Sequence, residues 1–316
     1  MTKQYTYSVV VPVFNEEEVL REFYKRLVSV MDSVKEDYEI IFVNDGSKDK
    51  SLETMKEMCS KDKNVKIINF SRNFGHQIAI TAGMDYSLGK AVVIIDADLQ
   101  DSPELITEFI KKWKEGFEVV YGTREKREGE SIFKKITASI FYRILEKITD
   151  IKIPVDTGDF RLIDRKVVDS LKEIREKSRF MRGLTTWTGF NQIGVLYKRD
   201  KRFAGHTKYS LKKMLKFALD AVFSFSNFPL KIAGFFGFLI AGLSFFYLIY
   251  ILILKIFTNI LIEGWASLIA VVLFFGGVQL ICLGIIGEYI GRISEEVKKR
   301  PLYIIKEIIN KDKEKA

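Results

Sequence analysis

Cysteine is nearly absent from this 316-residue chain: there are two. Cys59 falls in a polar, charged stretch and Cys282 in an apolar one, so they are poor disulfide partners and a reducing compartment is expected. No internal repeat is visible, and nothing of low complexity beyond a lysine-rich end. The start, Met-Thr-Lys-Gln-Tyr, leads straight into an apolar strand at Ser8, so no secretory signal is expected. The net charge of +9 comes without aromatic-interleaved basic motifs, which sets nucleic acid aside as a partner. The most telling absence is of charge itself. Ile232–Leu254 and Trp265–Gly287 are each 23 residues long and carry none, Gln279 being the most polar member of the second.

As a helix, each stretch reaches about 34 Å, enough to cross the hydrocarbon core of a bilayer. The linker between them, Lys255–Gly264, is short. Lys208, Lys212, Lys213, Lys216 and Lys231 precede the first span, and Arg292, Lys298, Lys299 and Arg300 follow the second. The positive-inside rule then predicts a plasma-membrane protein of two spans with both termini and the amino-terminal domain in the cytoplasm. Glycines such as Gly234, Gly237, Gly276 and Gly284 would allow close packing of the spans and leave room for a homo-oligomer.

Ahead of the spans, apolar runs alternate with helical patterns. Strands are expected at Ser8–Val13 (broken by Pro12), Glu39–Val43, Val65–Phe70, Ala91–Ile95 and Glu118–Gly122. Helices are expected from Asn15 to about Lys35, then at Ser51–Ser60, Asn73–Leu88 and Pro103–Lys114. That alternation predicts an α/β domain, with a mainly parallel sheet covered on both faces. The expected layout is a catalytic domain over 1–209, an amphipathic juxtamembrane helix over 210–230, the transmembrane hairpin over 231–292 and a basic tail over 293–316. Ile132, Phe133, Ile136, Ile140 and Ile144 also recur at helical spacing among lysines and arginines, which fits either a core-facing helix or one lying in the membrane interface.

The fourth strand ends in Asp96-Ala97-Asp98-Leu99-Gln100. Residues two apart on a strand share a face, so two carboxylates stand together at the sheet's carboxyl edge, where open α/β folds bind ligands. Hard cations such as Mg²⁺ or Mn²⁺ take oxygen ligands and bridge carboxylates to substrate phosphates. The pattern therefore points to metal-assisted chemistry on a diphosphate. The plainer alternative is two acids that end a strand and cap the helix near Pro103.

Seven segments in order resemble the family 2 glycosyltransferases of GT-A fold, above all the polyisoprenyl-phosphate type that includes bactoprenol glucosyltransferases and dolichyl-phosphate mannose synthases. They are Val11–Glu16, Val43–Ser47, Arg72–Gln77, Asp96–Gln100, Gly122–Arg124, Thr157–Leu162 and Arg202–Tyr209. The pair His206-Thr207 departs mildly from the expected pattern. The resemblance implies a GT-A domain whose nucleotide site is lined by Pro12, Phe14, Glu16, Val43, Asp45, Asp96, Ala97, Asp98 and Gln100. Asp45 would accept from a base N–H, and Asp96, Asp98 and Gln100 would hold the metal. Arg124 would neutralise diphosphate charge. Arg161, Arg199, Arg202 and Lys208 would meet the acceptor phosphate. Asp159 matches the position usually called the base, although it could equally orient the acceptor or Arg161. His76 is left outside the site as a structural helix-start residue.

The implied reaction moves a hexose, UDP-glucose being the favoured donor, onto a polyisoprenyl phosphate with inversion. UDP-N-acetylglucosamine and GDP-mannose remain alternatives, and a flippase and a downstream membrane transferase are expected partners. A processive synthase would carry Gln-x-x-Arg-Trp, whereas this chain has Arg179-Phe-Met-Arg-Gly-Leu-Thr-Thr-Trp187 and too few spans for a channel. A phosphatase would place its Asp-x-Asp after the first strand. A silent nucleotide-sugar scaffold for a flippase is the third alternative.

Overall fold

The computed structural model describes residues 5–125, 154, 157–198, 228–257 and 264–310. Compactness divides the chain into a sheet-bearing unit, which includes the stretch from Pro301 onward, and a second unit holding two long apolar helices.

The sheet unit grows from four apolar strands: β1 (Tyr7–Val13), β2 (Tyr38–Asn44), β3 (Val65–Phe70) and β4 (Ala91–Ile94). All four pair in parallel, in the order β4-β1-β2-β3. Alternate residues feed opposite faces. On β2, Ile40 and Phe42 join the larger core with helices α1 (Leu20–Val34), α2 (Ser51–Lys61) and α4 (Ile106–Lys114). Ile41 and Val43 join the smaller one under α3 (His76–Asp85). Gly83 lets α3 lie directly on β1, since a Cβ there would sit 2.1 Å from Val10 Cγ1.

The far half of the sheet is mixed. β5 (Val119–Arg124), β6 (Thr157–Asp164) and β7 (Gln192–Tyr197) extend it beyond β4, giving β7-β5-β6-β4-β1-β2-β3-β8. β6 runs antiparallel to both β4 and β5, and β7 runs parallel to β5. Helices α5 (Arg165–Glu173) and α6 (Met181–Trp187) lie between β6 and β7 in the chain.

Several expectations are corrected. Pro12 does not break β1; it ends one of its ladders. Val10 O accepts from Ile95 N, so even-numbered residues of β1 face β4. Pro12 is the next of these and has no N–H to give. Pairing with β4 stops at Val10–Ile94, while pairing with β2 continues to Val13–Asn44. The ladder between β1 and β4 therefore ends at Ile94, two residues short of Asp96. The first helix begins at Leu20 rather than Asn15, because Asn15 takes a left-handed φ of 55° and residues 15–17 bind the β2–α2 loop instead. Asn15 N donates to Ser47 Oγ and Glu16 N to Ser51 Oγ. The third helix starts three residues late, at His76, because the Phe74 and Gly75 amides are taken by Asp45.

The stretch read as a basic tail also contributes a strand to the sheet. β8 (Ile305–Asn310) pairs antiparallel with β3. Tyr303 stacks on Phe70 with ring centroids 5.3 Å apart, and its hydroxyl donates to Asp85 at 2.7 Å. Asn69 donates to Glu307 at 2.9 Å.

The second unit contains α7 (Phe228–Phe257) and α8 (Trp265–Val297). Both are long and apolar enough to cross a bilayer, with mean hydropathy of 1.7 over Pro229–Tyr247 and 2.1 over Val271–Val297. Large apolar side chains stand exposed on both, Phe238 at 86%. Such surface is unstable in water and stable in lipid, so the helices associate with a membrane. Among the described residues, nothing lies within 4 Å of where a Cβ would stand on their glycines. The amphipathic helices expected over 132–148 and 210–227 lie outside the described residues.

Candidate active site

The carboxyl ends of β1, β2 and β4 and the amino end of the antiparallel β6 gather the charged groups. Asp96 follows β4, and the Ile94–Arg161 register continues to bring Asp96 across from Asp159 on β6. His76, at the first turn of α3, fits between them. Its Nε2 is 2.7 Å from Asp96 Oδ1 and its Nδ1 is 3.7 Å from Asp159 Oδ2. Burial on its own would lower the His76 pKa, but the charge and hydrogen bond of Asp96, then the charge of Asp159, raise it to about 9. Its side chain is 36% exposed, so water screens part of that pull. His76 thus belongs to the site, contrary to the sequence expectation.

Asp159 is held from several sides. Gln77 Nε2 donates to its Oδ2 at 2.8 Å and Arg182 Nε to its Oδ1 at 3.1 Å. Burial raises its pKa, but Arg182, His76 and Arg161 together outweigh that and hold it well below the usual carboxylate range. These contacts fix the orientation of the Asp159 carboxylate. Gln77 and Arg182 were both missed by sequence reasoning. Gln77 adjoined His76 in the Arg72–Gln77 segment, which was the available signal.

Asp98 is 7% exposed and its Oδ1 accepts from Gln100 N at 3.1 Å. Between them Leu99 is buried with a left-handed φ of 57°, a conformation that costs an apolar residue energy and is held by its surroundings. Ala97 and Val43 are buried side chains. Phe14 and Glu16 sit in the turn after β1.

Asp45 has a second role. Its Oδ1 accepts from Phe74 N at 2.7 Å and Gly75 N at 3.2 Å, and its Oδ2 from Gly75 N at 3.1 Å. Burial raises its pKa against these amides. The carboxylate therefore fixes the loop that delivers His76 and Gln77, whatever it does for a base.

Arg124 ends β5. It hydrogen-bonds the Tyr197 hydroxyl, which in turn donates to Asp101. Gly158 gives it room, since a Cβ there would meet Arg124 Nη2 at 2.9 Å. Arg161 is placed differently from the expectation. It is 2% exposed and donates to Thr185 Oγ1 and Gly158 O, so it supports the site from beneath rather than facing a ligand. Arg199, Arg202 and Lys208 lie outside the described residues.

Among the described residues, no group of three or more His, Cys, Asp or Glu is arranged to hold a metal ion. Two carboxylates with all-oxygen donors nonetheless fit a hard cation completed by substrate phosphates, the usual arrangement for Mg²⁺.

Residues 8–172 match glycosyl transferase family 2. The chain belongs to that family. Its residues 228–293 match the GtrB C-terminal hairpin, so α7 and most of α8 are a recognised appendage of this glycosyltransferase. Over 305 residues it is 60% identical to the uncharacterized glycosyltransferase YkcC of Bacillus subtilis, covering 96% of this chain and 94% of that one. It is 42% identical over 299 residues to the SfII prophage-derived bactoprenol glucosyl transferase of Shigella flexneri, covering 95% and 97%. Among solved structures, glucosyl-3-phosphoglycerate synthase from Mycobacterium tuberculosis, in complex with Mn²⁺, UDP and glucosyl-3-phosphoglycerate, aligns with a TM-score of 0.47 and 17% identity over 69% of this chain and 78% of that one.

Proposed function

We propose that this glycosyltransferase moves a hexose from a nucleotide sugar, UDP-glucose first, onto a polyisoprenyl phosphate such as undecaprenyl phosphate. The observation that carries the reading is the Asp96–Asp98 pair just beyond the carboxyl end of β4, where the ladder with β1 has ended, in a chain that also carries two exposed apolar helices. Full-length likeness to a bactoprenol glucosyl transferase supports the same acceptor class.

A lipid monophosphate has a second pKa near 6 and is largely dianionic at pH 7. Its oxygen attacks the anomeric carbon, and the bond from that carbon to the nucleoside diphosphate breaks. One in-line step inverts the centre and needs no strong base, in keeping with a tightly held Asp159. Positive charge must bring two anions together. Arg124 serves the donor side, and Arg202, Lys208 and Arg199 are the acceptor-side candidates. Phe14, Glu16 and the neighbourhood of Asp45 receive the base. Asp96, Asp98 and Gln100 would hold a divalent cation, which when bound neutralises the departing diphosphate.

The fold also bears on sidedness. The sheet takes strands from before α7 and from after α8. Two crossings return the chain to its starting side, as the β3–β8 pairing needs. With the positive-inside rule, this supports a cytoplasmic catalytic domain on a plasma-membrane hairpin. The function is tested by supplying undecaprenyl phosphate and a panel of nucleotide sugars with Mg²⁺ or Mn²⁺. Release of nucleoside diphosphate that depends on the lipid phosphate supports it; release that ignores the lipid counts against it.

A further inference from the structure

We infer that Tyr197 is a positioning residue of the donor site. Its hydroxyl joins Asp101, the residue that follows the Asp96–Gln100 motif, to Arg124, and so holds the acid loop and the cation in fixed places relative to each other. This deepens the donor half of the function proposed above and rests on it.

The acid loop, Asp96–Asp101, needs holding. β4 ends at Ile94, and a helical turn begins at Pro103. In between, the buried Leu99 takes a left-handed φ of 57°, a conformation that persists only where the surroundings impose it. At the near end of the loop, Asp96 Oδ1 meets His76 Nε2. At the far end, Asp101 is 1% exposed and accepts from the Tyr197 hydroxyl. Asp98 and Gln100, oxygen donors proposed for a divalent cation, lie in the sequence between these two attachments.

The sheet delivers Tyr197 to that place and clears room for it. β5 and β7 pair in parallel, with Arg124 opposite Tyr197. A Cβ at Gly122 would stand 2.8 Å from Tyr197 Cε1, and one at Gly158 would stand 2.9 Å from Arg124 Nη2. Two glycines on paired strands thus admit the ring and the guanidinium side by side. On its other side the ring packs edge-on against Phe160, with centroids 6.3 Å apart, and Phe160 belongs to the larger core. The phenol is therefore fixed by packing before its hydroxyl makes any bond.

The bonds at that hydroxyl run in one sense. A guanidinium only donates and a carboxylate only accepts, so the phenol oxygen accepts from Arg124 and donates its own hydrogen to Asp101. Each bond polarises the hydroxyl in favour of the other. Other tyrosines also bond carboxylates: Tyr24 to Asp62, Tyr38 to Asp32 and Tyr303 to Asp85. Those bonds tie parts of the frame together. The Tyr197 bonds tie a donor-side cation to the loop that carries the acids. A bond needed only for the frame would not have to meet both.

The experiment uses the full-length chain in lipid nanodiscs without lipid phosphate. UDP is titrated at fixed Mn²⁺, and Mn²⁺ is titrated in the presence of UDP and read by the paramagnetic resonance of the free ion. If the wild type does not bind UDP, GDP replaces it. Tyr197→Phe keeps the ring and removes the hydroxyl. It should weaken nucleotide binding by about 10-fold, the loss of a hydrogen bond to a charged group, and weaken Mn²⁺ binding alongside. Asp101→Asn keeps an acceptor for the hydroxyl and should lose less than Asp101→Ala. Tyr38→Phe removes a comparable bond to Asp32, at the opposite end of β2 from Asp45, and should leave both affinities unchanged. In transfer assays with undecaprenyl phosphate, Tyr197→Phe should raise the donor KM and spare the lipid KM. If Asp101→Ala does not fold, the tyrosine variant decides. Wild-type affinities in Tyr197→Phe would reduce the contact to part of the frame and overturn the inference, as would an equal loss in Tyr38→Phe. A raised lipid KM with an unchanged donor KM would move Tyr197 to the acceptor side and also overturn it. A wild type that binds nucleotide and Mn²⁺ but transfers to no lipid phosphate sinks the proposed acceptor, and the binding titrations still decide this inference. A wild type that binds neither nucleotide sinks both.

Discussion

Asp45→Ala separates two roles that the sequence runs together. The Asp45 carboxylate is 3% exposed and receives the Phe74 and Gly75 amides. Removing it leaves two backbone donors without their acceptor in a largely enclosed place. Each orphaned amide costs about 1–3 kcal/mol, so the loss is about 2–6 kcal/mol before relaxation. For a domain of this size that is about 2–4 °C per kcal/mol in melting temperature. Asp45→Asn keeps one oxygen, which can still serve Phe74 and part of Gly75. It should lose only the charge assistance, about 1–2 kcal/mol. The loop leads into His76 and Gln77, so turnover should fall in the same order, alanine worse than asparagine. The assay is thermal unfolding of the purified chain without nucleotide, paired with donor titration. An alanine variant that melts like the wild type yet loses donor binding would refute the loop-anchoring argument and leave Asp45 as a base-reading residue only.

Other perturbations follow from the same geometry. Asp98→Asn preserves shape and removes charge from the proposed cation site; turnover should fall by at least about 100-fold with the melting temperature kept, and full activity in excess EDTA would end the metal-assisted account. Tyr303→Phe should cost under about 1 kcal/mol, because Arg175 still makes two bonds to Asp85 and the stack on Phe70 survives. Tyr303→Ala should cost several times more in a denaturation series, and equal effects would show that the stack does not hold β8. With Cys59 and Cys282 replaced, a cysteine at position 259 should be labelled from outside intact cells and cysteines at 50 and 311 should not; outside labelling at 311 would contradict the β3–β8 pairing as well as the hairpin.

The parallel half of the fold was legible because its signal is local. β1 to β4 are short apolar runs with punctuation, and their predicted limits differ from the observed ones by a residue or so. What failed depends on distant partners. Residues 15–17 look like a helix start, yet their amides go to Ser47, Ser51 and Asp49 across the loop after β2. β8 hides among lysines and glutamates and becomes a strand only because β3 offers it an edge. Thr157–Leu162 read as a motif rather than as the strand that carries it. The Asp-x-Asp pair was visible, since it follows closely on the apolar run of β4. His76, Gln77 and Arg182 were not, because their meaning comes from Asp96 and Asp159, 20 to 83 residues away. Arg161 reversed the other way: a cation in a functional segment, taken up by Thr185 and the Gly158 carbonyl.

The central claim is transfer of one sugar onto a lipid phosphate. The most direct measurement is the mass of the lipid extracted after incubating the full-length chain with undecaprenyl phosphate and isotopically labelled UDP-glucose, UDP-N-acetylglucosamine or GDP-mannose. The account predicts undecaprenyl phosphate carrying a single labelled sugar from one of these donors, formed by the wild type and nearly lost with Asp98→Asn. Labelled free sugar with unmodified lipid, or a growing chain of sugars, would contradict it.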